Sequence, residues 1–195
     1  MIARAIEERA RALGAPLRVD LVEITTKGDV AGSPLVALGG SGVFVARLRT
    51  ALLRGDCDLA VHSCKDLPSG EVEGLTLAAL PAREDPRDVL CSRSRSPLGG
   101  LPAGARIGTG SPRRSAAIRA ARPDLDLVEI RGNVPTRLAR LERDLDAVVL
   151  AAAGLIRLGL AERIDEFLDP GTMLPAPAQG ALALETRADA DPSLL

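Results

Sequence analysis

The sequence predicts an α/β fold in two lobes, with mainly parallel sheets and a central cleft. Three observations carry that expectation. Short apolar runs alternate with stretches of helical spacing along nearly the whole chain, the pattern of βα units. Two proline-bearing links, residues 82–86 and 175–180, divide the pattern. The 195 residues are 46% hydrophobic and carry a formal net charge of -1, which supports a packed core and argues against disorder. The first lobe is therefore expected over residues 1–81 plus 181–195 and the second over 87–174, with the two links as hinges.

In chain order, residues 2–13 carry apolar side chains at helical spacing and stop at Gly14, a C-cap signal. Residues 17–24 alternate like a strand. Residues 25–42 hold five glycines and one proline and read as a long loop, of a kind that in compact domains often serves as a functional lid. A helix over 43–53 leads to a short strand at 59–61, the loop His62-Ser63-Cys64-Lys65-Asp66-Leu67-Pro68, and a strand at 75–80. The second lobe reads as a strand at 89–91, a Pro/Gly/Ser loop over 92–104, and a strand at 106–108. A helix over 112–121 follows, with proline in its first turn. Then come a strand at 125–130, a helix over 133–143, a strand at 147–150 and a helix over 151–158. Residues 181–185 return to the first lobe as a strand.

Composition excludes several functions. With no Trp, no Tyr and two Phe, the chain has no stacking platform for single-stranded nucleic acid. One histidine, His62, rules out zinc sites that need two. No GxxxxGK[ST] phosphate loop occurs, and the nearest approach to GxGxxG, Gly108 to Arg113, ends in arginine. The longest apolar run, 147–155, is too short to span a bilayer, and the first residues lack the layout of a signal peptide. Cys57, Cys64 and Cys91 are odd in number without CxxC spacing and read as reduced thiols of a cytoplasmic protein.

Charge patterning is more informative. Only Lys27 and Lys65 are lysines among 25 basic residues; a GC-rich genome or a demand for planar guanidinium forks each account for that. Between Arg106 and Arg143 nine arginines face four acids, which suggests an anionic ligand in a chain that is otherwise acidic. Thr109-Gly110-Ser111-Pro112-Arg113-Arg114 follows a strand and opens a helix, where free backbone N–H groups attract anions. Arg131-Gly132-Asn133 also follows a strand, with Asn133 placed to cap the helix carrying Arg137; Arg157 lies on the next helix. His62 and Ser63, adjacent on an extended segment, point opposite ways and do not make a hydrolase pair. Cys64 reads as a nucleophile or, more plainly, as a small buried thiol. Lys65-Asp66 is either a surface ion pair or a carboxylate poised to act as acid, base or cation stabiliser.

These clusters, in this order, resemble the porphobilinogen deaminase (hydroxymethylbilane synthase) family. The matching segments include Thr26-Lys27-Gly28-Asp29, Gly39-Gly40-Ser41-Gly42-Val43-Phe44-Val45, Ala60 to Pro68, Arg83-Glu84-Asp85-Pro86-Arg87-Asp88 and Gly108 to Arg114. Arg131-Gly132-Asn133, Thr136-Arg137-Leu138, Ala153 to Leu160 and Leu174 to Gly180 continue the match. The resemblance implies a fold like type II periplasmic binding proteins. It implies a transferase that joins four porphobilinogen units head to tail with release of ammonia, on a covalently held dipyrromethane cofactor, in tetrapyrrole (heme) biosynthesis. By the same resemblance Asp66 is the catalytic carboxylate, stabilising the cationic azafulvene left when ammonia departs and moving protons. Lys65, Thr109, Ser111, Arg113, Arg114, Arg131, Arg137, Arg157 and Gln179 hold the acetate and propionate groups of cofactor and substrate, Phe44 packs near the pyrroles, and residues 25–42 are the flap over the cleft.

Against the family pattern, residues 1–195 correspond to the first two domains from the first helix onward. The family's opening strand and its third domain, with the cysteine that anchors dipyrromethane, have no counterpart among them, and Cys57, Cys64 and Cys91 do not match that cysteine. The expectation is a cytoplasmic monomer with a small-molecule substrate, no metal and no nucleic-acid or membrane partner, complemented by a C-terminal domain. A non-catalytic two-lobed polycarboxylate-binding module or an inactive fragment is the alternative.

Overall fold

The computed structural model describes residues 1–24 and 42–190, the side chains of residues 42–44 excepted. The expected flap therefore lies, but for Gly42, outside the described residues. The chain divides into two compact units. Met1–His62, Asp66–Leu80 and Ala183–Leu195 form one; Ser63–Lys65 and Pro81–Leu182 form the other. Both expected links, 82–86 and 175–180, fall in the second unit, where the Glu84 N–H donates to the Gly180 carbonyl at 3.2 Å.

In the first unit, α1 (Ile2–Ala12) ends as expected before Gly14, whose φ of 77° suits a residue without Cβ. α2 (Gly42–Arg54) buries Val45, Ala51 and Leu52. Near its end the Leu52 carbonyl accepts from the Gly55 N–H and from Arg187, the Ala51 carbonyl accepts from the Asp56 N–H, and Arg187 also donates to the Cys57 carbonyl beyond the helix. β1 (Leu59–Ser63) and β2 (Leu75–Ala79) flank β8 (Leu182–Arg187), the central strand of a three-stranded sheet. β2 and β8 are antiparallel, with an irregularity between Leu77 and Ala79. Along β1, His62 is buried and Ser63 exposed, the opposed orientation expected of neighbours on a strand.

The strand expected at 17–24 does not form. Leu21 is 86% exposed and Val22 54%, and the segment is held locally, by Glu7 accepting from the Val19 N–H and by an Arg18–Asp20 pair. Alternation makes a residue run fit for a strand, but only a neighbouring ladder makes it one, and among the described residues none is paired with it.

The centre of this unit contains charge. Glu185, on β8, accepts two guanidinium nitrogens of Arg49 at 2.9 and 3.0 Å, and His62 Nε2 lies 3.2 Å from its other oxygen. All three side chains are largely shielded from water. Burial lowers the His62 pKa, outweighing the attraction of Glu185, so His62 is neutral at neutral pH.

The second unit is a five-stranded sheet in the order β5-β4-β6-β3-β7. β4 (Arg106–Gly108) runs parallel to β5 (Asp126–Val128) and β6 (Ala147–Ala151). β3 (Asp88–Ser92) runs antiparallel to β6 and to β7 (Glu166–Phe167). The sheet is thus mixed: β3 is followed by a loop instead of a helix, so no crossover forces it parallel. β3 and β6 are apolar on both faces. Leu90 and Val149 pack on one side with Ile107, Ile118 and Met173; Val89, Cys91, Val148 and Leu150 pack on the other with Ile130, Leu138 and Leu155. Burial pushes the Cys91 thiol up to about 12, so it is chemically inert.

Three helices follow the parallel strands. α3 (Pro112–Ala121) starts with Ser111 as N-cap and Pro112 in its first turn. α4 (Val134–Leu138) is capped, as expected, by Asn133, whose side chain accepts from the Thr136 N–H at 2.9 Å. It is shorter than the helix predicted over 133–143, tightening into a 3₁₀ turn at Ala139–Glu142. α5 spans Ala152–Arg157.

Candidate functional site

Because β5, β4 and β6 are parallel, the segments that follow them emerge at one edge of the second unit's sheet. Glycines let these segments come close. A Cβ on Gly110 would sit 2.6 Å from the Ile130 carbonyl oxygen, and one on Gly132 (φ 103°) 2.8 Å from the Thr136 methyl. The antiparallel β3 begins at the same edge, with Asp88 opposite Ala151.

Asp88 is fully buried. Its Oδ1 accepts from Arg114 Nε (3.1 Å) and Nη2 (2.7 Å) and from Gln179 Nε2 (2.8 Å). Arg113 Nη2 lies 2.7 Å from Oδ2 as an ion pair. Burial pushes the Asp88 pKa up, but Arg114, Gln179 and Arg113 together outweigh it and hold the carboxyl below its usual range. Arg114 also donates to the Val149 carbonyl at 3.0 Å, and Arg113 to the Leu174 carbonyl. Gln179 spends its amide N–H groups on Asp88 and on the Pro86 carbonyl (2.7 Å), and its Oε1 accepts from Lys65 Nζ at 3.3 Å. The fold thus gathers Arg113, Arg114, Gln179 and Lys65 around Asp88, an acid to which the sequence pattern gives no role. The available signal was an aspartate opening the apolar strand DVLCS, a position where a carboxylate needs a partner.

The other expected site residues are distributed as follows. Thr109 is buried and its hydroxyl accepts from the Ser111 N–H. Arg131 is exposed and paired with Glu129 at 2.7 Å. Arg157 donates to the Gly180 carbonyl at 2.6 Å. Arg137 is half-buried, donates only to the Gly132 carbonyl (2.7 Å), and has no carboxylate partner among the described residues. Burial, then the neighbouring Arg114 cation, lowers its pKa. A shielded guanidinium beside another cation is a group that gains from an anion. Lys65 and Asp66 end the 3₁₀ turn Cys64–Asp66 directly after β1; both are exposed, and Asp66 belongs to the first unit. Of Phe44 only the helical backbone is described. Among the described residues no cluster of acids, histidine and cysteines has a metal-holding arrangement, and no helix is long and apolar enough to cross a membrane.

The α/β fold is like that of the two-lobed periplasmic binding proteins. Solved structures share that fold. A periplasmic substrate-binding protein of an ABC transporter from Coxiella burnetii matches with a TM-score of 0.55 and 16% identity over 98% of this chain and 82% of its own. The periplasmic VFT2 domain of BvgS from Bordetella pertussis matches with 0.51 and 18%, over 99% and 73%.

The family model described as porphobilinogen deaminase, dipyromethane cofactor binding domain, matches residues 1–194, and the chain belongs to the porphobilinogen deaminase family. The porphobilinogen deaminase of Leifsonia xyli subsp. xyli is 56% identical over 91% of this chain and 54% of its own length. That of Acidothermus cellulolyticus is 54% identical over 95% and 57%. The chain spans about half the length of the curated relatives it matches.

Proposed function

We propose that this chain is the cofactor- and substrate-binding part of a porphobilinogen deaminase (hydroxymethylbilane synthase), joining porphobilinogen units head to tail with loss of ammonia. Family membership supports the reaction. The observation that supports binding is Arg137, a shielded cation with no carboxylate among the described residues and a second cation beside it. Each pyrrole carries two carboxylates, so a growing chain is a polyanion suited to such a site.

The dipyrromethane cofactor fits the donor set of this edge. Arg113, Arg114, Arg131, Arg137, Arg157 and Lys65 are cations, Thr109 and Ser111 bring hydroxyls, and Gly110 and Gly132 allow the segments that carry them to pack closely. When bound, it supplies the primer to which substrate units are added. The side chains named here, with Gln179 orienting Lys65, hold its carboxylates and those of substrate. Asp66 carries the chemistry: it hands a proton to the departing amine, faces the cation left behind with its carboxylate, and recovers a proton from the pyrrole carbon that forms the new bond. The protein works as a cytoplasmic monomer, with its free cysteines in keeping with a reducing compartment, and with a further cysteine-bearing domain as complement.

Two measurements test this. Porphobilinogen at about 100 times its Kd is expected to raise the melting temperature by roughly 5–10 °C, and Arg137→Met to remove most of that rise. An unchanged melting temperature for the wild-type chain would overturn the binding role. In a chain of the relatives' full length, Asp66→Asn is expected to abolish turnover while leaving the circular dichroism spectrum intact; near-normal turnover would remove Asp66 from the mechanism.

A further inference from the structure

We propose that Asp88 is the positioning residue of this anion site: one buried carboxylate fixes the guanidinium planes of Arg113 and Arg114 and, through Gln179, the place of the Lys65 ammonium. The inference rests on the binding role proposed above and assigns its geometry to a residue that does not itself touch the ligand.

Asp88 is 0% exposed at the first position of β3, where the ladder with β6 fixes its backbone from Asp88↔Ala151 to Ser92↔Ala147. Three N–H groups converge on its Oδ1, two from Arg114 and one from Gln179, while Oδ2 makes no hydrogen bond among the described residues and is held by charge alone, 2.7 Å from Arg113 Nη2. Arg114 is held in two directions at once, by Asp88 and by the Val149 carbonyl of the neighbouring strand, so its plane cannot turn. Three of its five N–H donors are spent in this way. Arg113 is bounded by Asp88 and the Leu174 carbonyl.

Gln179 extends the reach of the same carboxylate. Its Nε2 faces Asp88 and the Pro86 carbonyl, two acceptors, so its Oε1 must face the other way, toward Lys65. Asp88 therefore decides which end of the amide the lysine meets. The desolvated carboxylate is costly to keep in place, and its donors hold it ionised. Only residues whose side chains are locked by such packing hold a binding geometry to within a fraction of an ångström.

Positioning and plain electrostatics predict opposite signs. Asp88→Asn removes a negative charge from the centre of the cluster while keeping its shape. If Asp88 only balances charge, its loss leaves more net positive potential and anion binding tightens. If Asp88 positions the cations, binding weakens. Titration calorimetry on the whole chain, with porphobilinogen and with citrate as a simple tricarboxylate, reads the sign, and circular dichroism verifies the fold. The expected result is at least tenfold weaker binding of whichever probe the wild type binds. Equal or tighter binding by folded Asp88→Asn would overturn the proposal. Citrate binding without porphobilinogen binding would sink the pyrrole reading and leave the Asp88 test standing on citrate. Binding of neither by the wild type would overturn both. Should Asp88→Asn fail to fold, the Gln179→Leu and Lys65→Met cycle decides. Lys65→Met is expected to cost affinity in the wild type but little in Gln179→Leu, and additive losses would refute the relay.

Discussion

Glu185→Ala is expected to destabilise the chain by about 3–5 kcal/mol, the usual cost of stripping one partner from a buried ion pair. Glu185 sits on the central strand of the first unit's sheet and is the carboxylate facing both Arg49 and His62. Without it, a guanidinium whose side chain is 13% exposed keeps its charge and loses its counter-charge, while His62 Nε2 loses the acid 3.2 Å away. Desolvation, which made the pair expensive to bury, then acts unopposed on Arg49. Domains of this kind are stable by about 5–15 kcal/mol, so the loss is a large part of the whole. With no Trp or Tyr in the chain, urea unfolding is best followed by circular dichroism. The transition midpoint should fall with little change in slope. A loss below 1 kcal/mol would mean that water reaches Arg49 and the network adds little.

Gly180→Ala is expected to cost about 2–5 kcal/mol, from two sources that a control separates. At φ +90° any Cβ is strained, by about 1–2 kcal/mol. At this position the new methyl would also lie 2.3 Å from the Glu84 carbonyl oxygen and 3.1 Å from its carbon, backbone atoms with no rotamer to yield. Overpacking of that kind adds about 1–3 kcal/mol. Gly104 has a similar φ of 75° with nothing within 4 Å of a built Cβ, so Gly104→Ala measures the strain alone. The difference in unfolding free energy between the two variants is the cost of the close approach. Equal losses would show that residues 84 and 180 do not meet as closely as described. The contact matters beyond stability, since the Gly180 carbonyl accepts from both Glu84 N and Arg157 and the preceding residue, Gln179, joins Asp88 to Lys65.

Much of the second unit was legible because its signals are local. Ser111-Pro112 and Asn133 state where helices begin, and the capping bonds form where those residues stand. The βα alternation placed Thr109, Ser111, Arg131 and Arg137 after parallel strands. Residues 17–24 failed for the opposite reason: a period of two describes side chains, whereas a strand needs a partner from elsewhere in the chain. The direction of β3 was hidden likewise, since alternation does not encode which strands become neighbours.

The sequence by itself determined the family, the arginine-rich composition, the helix starts and the motif order, because each is written in neighbouring residues. Tertiary structure alone decided which charges are neutralised. Among arginines of one residue type, Arg131 meets Glu129 two residues away, Arg114 meets an aspartate 26 residues away, and Arg137 meets no carboxylate among the described residues. Pairing of buried charge depends on burial and distance, which strand order creates and no local pattern records. The same holds for Asp88 and Glu185, ordinary acids in the sequence and the centres of two buried networks in the fold.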